Sequence, residues 1–149
     1  MLNQTASLLA AGFLLALALP ASALDYRSTA RATILYDAPY SAAGKVAITG
    51  SGVPLEVVVD TEAWIKVRDF SGRLSWVEKS ALGTAKTVMV KAETSAMRSQ
   101  PRADSEIVAQ LARGVLLSVT GPANAFGWLP VKHTDGLAGW MPAHEAWGR

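Results

Sequence analysis

Cysteine is absent from this chain of 149 residues. A thiol nucleophile, a thiolate metal site and a disulfide are thereby excluded, as is lipid attachment through a cysteine. Histidine occurs only as His133 and His144. Neither lies in a serine-elbow pattern or a spaced ligand cluster, so both are expected in loops, with no metal or other cofactor. Charge is sparse and nearly balanced, 14 Lys and Arg against 12 Asp and Glu. A nucleic-acid binder would concentrate basic residues on one face, and no nucleic-acid partner is expected.

Charged side chains are missing altogether from residues 1–23, which carry an apolar run from Leu8 to Leu19. That run has the length of a secretory h-region and falls short of the roughly 20 apolar residues that span a bilayer. Pro20 and the small-x-small triplet Ala21-Ser22-Ala23 follow it, so cleavage is expected before Leu24. The n-region lacks Lys and Arg, which leaves an uncleaved anchor as the competing reading. After cleavage no stable membrane insertion is expected, and the mature protein would be periplasmic or otherwise extracytoplasmic.

Also missing from the remainder is any sustained helical period. What stands there instead is a repeat. Trp64 and Trp76 are 12 residues apart, as are Trp128 and Trp140. An offset of 64 carries Trp64, Val67, Gly72 and Trp76 onto Trp128, Val131, Gly136 and Trp140. Earlier in each half the offset is 62, matching Pro39 with Pro101, Gly52 with Gly114, Leu55 with Leu117 and Val57 with Val119. The difference is absorbed at Gly121-Pro122-Ala123-Asn124, a turn-rich stretch where an insertion is tolerated.

Each copy reads as β. Val53–Val59 and Val115–Val119 are short, rich in branched residues and preceded by glycine. Trp64–Arg68 is a further strand, in which Trp64 and Val67 cannot share a strict two-residue face. A bulge and a strand buried on both sides both remain open. Turns at Asp69–Gly72 and Thr134–Gly136 lead to return strands Leu74–Val77 and Leu137–Met141. Single helical turns fit Lys79–Leu82 and Pro142–Glu145. A five-strand unit of this size needs a small closed or nearly closed barrel to bury a core and protect its edges. The expected organisation is all-β: a signal peptide over 1–23, one barrel over 24–83 and a second over 84–149, with Lys86–Val90 as the second barrel's first strand. The joint Gly83-Thr84-Ala85 is too short for a free tether, so the barrels should touch.

These residues resemble the bacterial Src-homology-3-like (SH3b) family. Ala96-Met97-Arg98-Ser99-Gln100-Pro101 is similar to the family's opening N-V-R-S-G-P, and Glu106–Leu111 with Gly114 to its V-I-G-x-L-x-x-G. Gly127-Trp128-Leu129-Pro130-Val131 and Asp135–Met141 resemble G-W-x-x-V and D-G-x-x-G-W-V. The first copy matches at Ala63–Val67 and Gly72–Val77, with Ser75 where glycine is usual. Its opening, Ile34–Pro39, lacks the family arginine. The resemblance implies SH3-like barrels that serve as binding or targeting modules of exported proteins. Its implied partners are peptidoglycan fragments, or peptide segments of another cell-envelope protein.

Trp64 and Trp128, at strand starts beside loops, are the leading ligand-binding candidates, since an indole offers a flat face and one N–H donor. Leu35-Tyr36-Asp37 resembles the opening of eukaryotic SH3 domains, whose tyrosines line a peptide groove, and this adds Tyr36 and Tyr40. Arg98, where the family arginine falls, could meet a carboxylate. Trp76 and Trp140 are expected in the core or as half-buried cover. Asp37, Asp60, Glu62, Asp69 and Glu78 are scattered among turns. Glycan hydrolysis needs a cleft that holds two carboxyls at fixed separation, so the chain is read as no enzyme.

Overall fold

The computed structural model describes residues 23–149. The secretory segment expected over 1–23 lies outside them, apart from Ala23. Among the described residues no helix is long and apolar enough to cross a membrane.

In the first half the strands are β1 (Tyr26–Thr29), β2 (Thr33–Tyr36), β3 (Lys45–Thr49), β4 (Pro54–Asp60), β5 (Trp64–Arg68), β6 (Leu74–Glu78) and β7 (Leu82–Gly83). The second half has β8 (Thr87–Val90), β9 (Thr94–Arg98), β10 (Ile107–Ala112), β11 (Leu116–Val119), β12 (Trp128–Lys132), β13 (Ala138–Pro142) and β14 (Ala146–Trp147). A single 3₁₀ turn, Lys79–Ala81 or Ala143–Glu145, precedes the last strand of each half. The two sheets run β3-β2-β6-β5-β4-β1-β7 and β10-β9-β13-β12-β11-β8-β14. The second order is the first raised by seven throughout, so the sequence repeat is a repeat of topology. Each half is an all-β, SH3-like domain. Seven strands rather than five make each sheet. The surplus includes β7 and β14, whose two residues are too short to show any alternation in sequence.

Alternation decides which side chains point inward. In β5, Ile65 and Val67 are fully buried while Trp64 and Lys66 are half-exposed on the other face. Trp64 and Val67 therefore stand on opposite faces of a regular strand, and neither a bulge in β5 nor burial on both sides is needed. The β4–β5 register shifts between Val57 and Val59. Leu35, Leu55, Ile65, Val67, Val77 and Ala81 form one cluster from strands far apart in the sheet. A single sheet can bring them together only by curling around them. The second core is larger: Met97, Leu117, Leu129, Val131 and Met141 join Val88, Val90, Leu111, Ala143 and Ala146. Val88 lies opposite Leu117 and Arg27 opposite Leu55, so the first barrel holds an arginine at this register position.

The β5–β6 and β12–β13 turns close with positive φ at Gly72 (88°) and Gly136 (96°). That backbone region strains any residue bearing a Cβ. Gly139 answers a different constraint. A Cβ there would lie 2.6 Å from the Arg98 carbonyl oxygen and 2.7 Å from Met97 Cγ. Its counterpart Ser75 fits in the first barrel, where Leu35 stands in place of Met97. The Ser75 hydroxyl is nonetheless buried without a hydrogen-bond partner.

The barrels meet along a mixed seam. Thr87 Oγ1 donates to the Gly52 carbonyl at 2.7 Å and lies 2.6 Å from Ser28 Oγ. A hydroxyl has one proton, so Ser28 is the donor in that second contact. Trp147 stands edge-on to Tyr26 (5.2 Å) and to Phe70 (5.6 Å), and the Arg113 guanidinium lies 5.2 Å from the Phe70 ring centre.

Two predictions follow from these contacts. Gly139→Ala should lower stability by about 1–3 kcal/mol through overpacking, whereas Ser75→Ala should be neutral or stabilising because it removes an unpartnered hydroxyl. Urea unfolding of both variants checks the contrast, and a larger loss for Ser75→Ala would contradict it. Trp147→Ala should uncouple the barrels and broaden or split the urea transition, while each half keeps its circular-dichroism signature.

Candidate functional site

Because Ile65 and Val67 take the inner positions of β5, Trp64 must stand on the outer face at the strand's start. The Thr61 amide and hydroxyl both donate to the Trp64 carbonyl and fix the loop that presents it. Tyr36, at the end of β2, is nearly buried and packs edge-on against the indole, with centroids 5.4 Å apart at 87°. Tyr40, in the loop after β2, is 57% exposed. Between that loop, Trp64 and the 3₁₀ turn opens a groove of about 650 Å³, lined also by Glu62, Glu78 and Lys79. Tyr40 and Trp64 thus wall one groove, and Tyr36 supports the indole from beneath.

The second barrel forms a groove in the same place, about 340 Å³, between Trp128, the loop after β9 and the 3₁₀ turn Ala143–Glu145. Asn124 Oδ1 accepts from the amides of Phe126 and Trp128, both at 3.0 Å, and so shapes the loop before β12. Arg98, at the register position of Tyr36, lines this groove and donates from its guanidinium to the Ser105 carbonyl at 2.7 Å. The structure brings Arg98 and Trp128 together here, apart from Tyr36, Tyr40 and Trp64. Trp76 and Trp140 are half-buried cover, with Lys66 Nζ 5.9 Å from the Trp76 ring centre.

Phe126 was not legible as a site residue, yet it is 88% exposed on the rim of the second groove. Its signal is positional: it directly precedes Gly127-Trp128, where the first copy has Glu62 before Ala63-Trp64. Trp147 had a signal too, since at the offset of 64 its counterpart is Gly83.

The grooves differ in charge. Glu62, Glu78 and Lys79 line the first; Arg98, His144 and Glu145 line the second. Lys79 is held in place by Asp60, whose Oδ1 accepts from its ammonium at 2.6 Å while Oδ2 accepts from Arg27 at 2.7 Å. Those hydrogen bonds, Lys79 first and Arg27 second, hold the Asp60 carboxyl below the usual carboxylate range. His133 lies 3.0 Å from Asp135, but both belong to the β12–β13 turn, away from either groove. Among the described residues no group of three metal-ligating side chains is assembled.

Comparison with known proteins bears on the fold and the family. The sequence model described as "Bacterial SH3 domain" matches residues 30–83 and again 91–148. No curated protein matches the chain in sequence. Among solved structures it is similar to NlpC1 from Trichomonas vaginalis, at 11% identity and a TM-score of 0.39, over 94% of this chain and 51% of that one. NlpC2 from the same organism gives 11% identity and a TM-score of 0.39 over 83% and 47%. The chain spans about half the length of each.

The Asp60–Lys79 contact makes one wall of the first groove sensitive to acid. A carboxyl whose folded pKa is depressed contributes its tether above its unfolded pKa and loses it as pH falls through the folded value. The Lys79 turn should therefore stay fixed at neutral pH and loosen only below the ordinary carboxylate range. An NMR titration of Asp60 checks this: its midpoint should lie below that of a free aspartate, rise in Lys79→Met, and reach the ordinary range only when Arg27 is replaced as well.

Proposed function

Because the chain belongs to the bacterial SH3 domain family, we propose that it is a non-catalytic extracytoplasmic module that binds peptidoglycan or its stem peptides. The observation that carries this reading is the recurrence of an open, tryptophan-walled groove at the same place in both barrels. Two copies whose cores have diverged keep an indole on the outer face at the start of the same strand. An indole beside polar rims can stack on a sugar ring or an extended peptide and offer one N–H to it. Arg98 in the second groove adds a fork of donors suited to a stem-peptide carboxylate. The carboxylates nearest the grooves, Glu62 and Glu78 in the first and Glu145 in the second, serve recognition in this reading, and no step of bond cleavage is assigned to them.

One observation favours a second reading. Tyr36 packed beneath Trp64, with Tyr40 beside it, makes the first groove similar to a peptide-docking surface, which suits a segment of another envelope protein.

Titration of the mature protein with soluble muropeptides, followed by tryptophan fluorescence, separates these readings. The signal should saturate, and Trp64→Phe or Trp128→Phe should weaken binding roughly tenfold, about 1.4 kcal/mol, in whichever barrel holds the ligand. Absence of any shift up to millimolar muropeptide would overturn wall binding and favour the protein partner.

A further inference from the structure

Of the buried polar side-chain atoms without a hydrogen-bond partner among the described residues, Ser75 Oγ, Ser95 Oγ and Glu145 Oε2, two belong to residues that line one groove. Ser95, only 3% exposed, shares the inward face of β9 with Met97, so its hydroxyl belongs to the barrel interior and Glu145 is the one that borders the groove. Burying a polar atom unpaired costs free energy, and a native structure that keeps such an atom needs a reason for it. None lies in the lining of the first groove.

The repeat supplies an internal control. Ala30 donates its amide to the Ala81 carbonyl, and Lys91 donates in the same way to Glu145. Glu145 therefore occupies the place of Ala81, a fully buried alanine at the end of the first 3₁₀ turn. A carboxylate stands where the fold is satisfied with a methyl group. Its side chain is 26% exposed, and the basic side chain within ion-pair reach of it is the exposed His144, whose Nε2 lies 3.9 Å from Oε1, beyond hydrogen-bond distance, so no strong ion pair accounts for it. Trp128 and the exposed ring of Phe126 line the same groove.

We propose that Glu145 forms, with Trp128 and Phe126, a site for a primary ammonium group carried by a peptide ligand. The ammonium has three N–H donors and no acceptor. It can pair with the Glu145 carboxylate, and an aromatic face attracts it further. Arg98 in the same lining is placed to take a carboxylate of that ligand, so the groove suits an amino-acid-like end with both charges. For the source of its ligand the site rests on the wall-binding reading, which it deepens. The first groove, with Ala81 in place of Glu145, lacks this specificity.

The test is a fluorescence titration of the protein with soluble muropeptides that carry a free amino group, beside the same muropeptides N-acetylated. Glu145→Gln and Glu145→Ala are measured in parallel; Glu145→Ala installs the residue of the first barrel, and its urea unfolding should show no loss of stability. Acetylation is expected to weaken binding to the native protein about tenfold or more, and both variants should lose the distinction. If the native protein binds both forms equally, the ammonium site is overturned while wall binding stands. If it binds neither, wall binding falls and a lysine-rich peptide, free and acetylated, decides for the site alone. Discrimination that Glu145→Gln abolishes then supports it; equal binding, or none, overturns it.

Discussion

The inward alternation of one short central strand governs the rest of each barrel. Ile65 and Val67 in β5, and Leu129 and Val131 in β12, take the inward positions of that strand in each core. The residue before each pair is forced outward, and in both copies that residue is tryptophan. The placement of an indole on the barrel surface is thus a consequence of packing, not an addition to it. The loop before the strand, the loop after the second strand and the 3₁₀ turn then build walls around the indole. A domain this small cannot enlarge its core to hold a ligand inside. It can only shape the surface around a side chain that the core has already aimed outward.

The same economy shapes the seam. Each sheet curls around its own core, and the edges near β1 and β8 meet through Ser28, Thr87 and the Gly52 carbonyl. A ring cluster of Tyr26, Trp147 and Phe70 covers the adjacent surface. Hydroxyl hydrogen bonds set a register between the barrels, because each donor has one direction to point. The aromatic edges supply apolar contact without a fully dry interface. The two barrels are therefore joined by specific contacts as well as by the short Gly83-Thr84-Ala85 joint.

Much of this was legible in the sequence. The tryptophan pairs at equal spacing revealed the repeat, and alternation of branched residues with glycine-bearing turns gave strand type and hairpin positions. What stayed hidden has physical causes. β7 and β14 are two-residue pairings dictated by the tertiary partner, and no period can be read from two residues. The mismatch of Trp64 and Val67 is plain alternation across a strand with one buried face, whereas the bulge sits in β4 and leaves no trace in sequence, because register is a property of a pair of strands. Trp147 and Glu145 escaped notice for a different reason. Each is a place where the copies differ, and a search for a repeat rewards agreement.

Those differences carry the argument about function furthest. Where the copies agree, as at Leu55 and Leu117 or Val67 and Val131, the residues answer to the fold. Where they disagree at the surface, the fold is indifferent and another constraint can act. Glu78 faces the first groove and Pro142 the second; Lys79 gives way to a buried Ala143, and Ala81 to Glu145. In one barrel the 3₁₀ turn presents a cation tied down by Asp60, and in the other a carboxylate with an oxygen left unpaired. The two grooves share an indole and a shape but not a charge pattern. Under the proposed wall-binding reading, this divergence would let the second groove respond to charge where the first offers its aromatic wall.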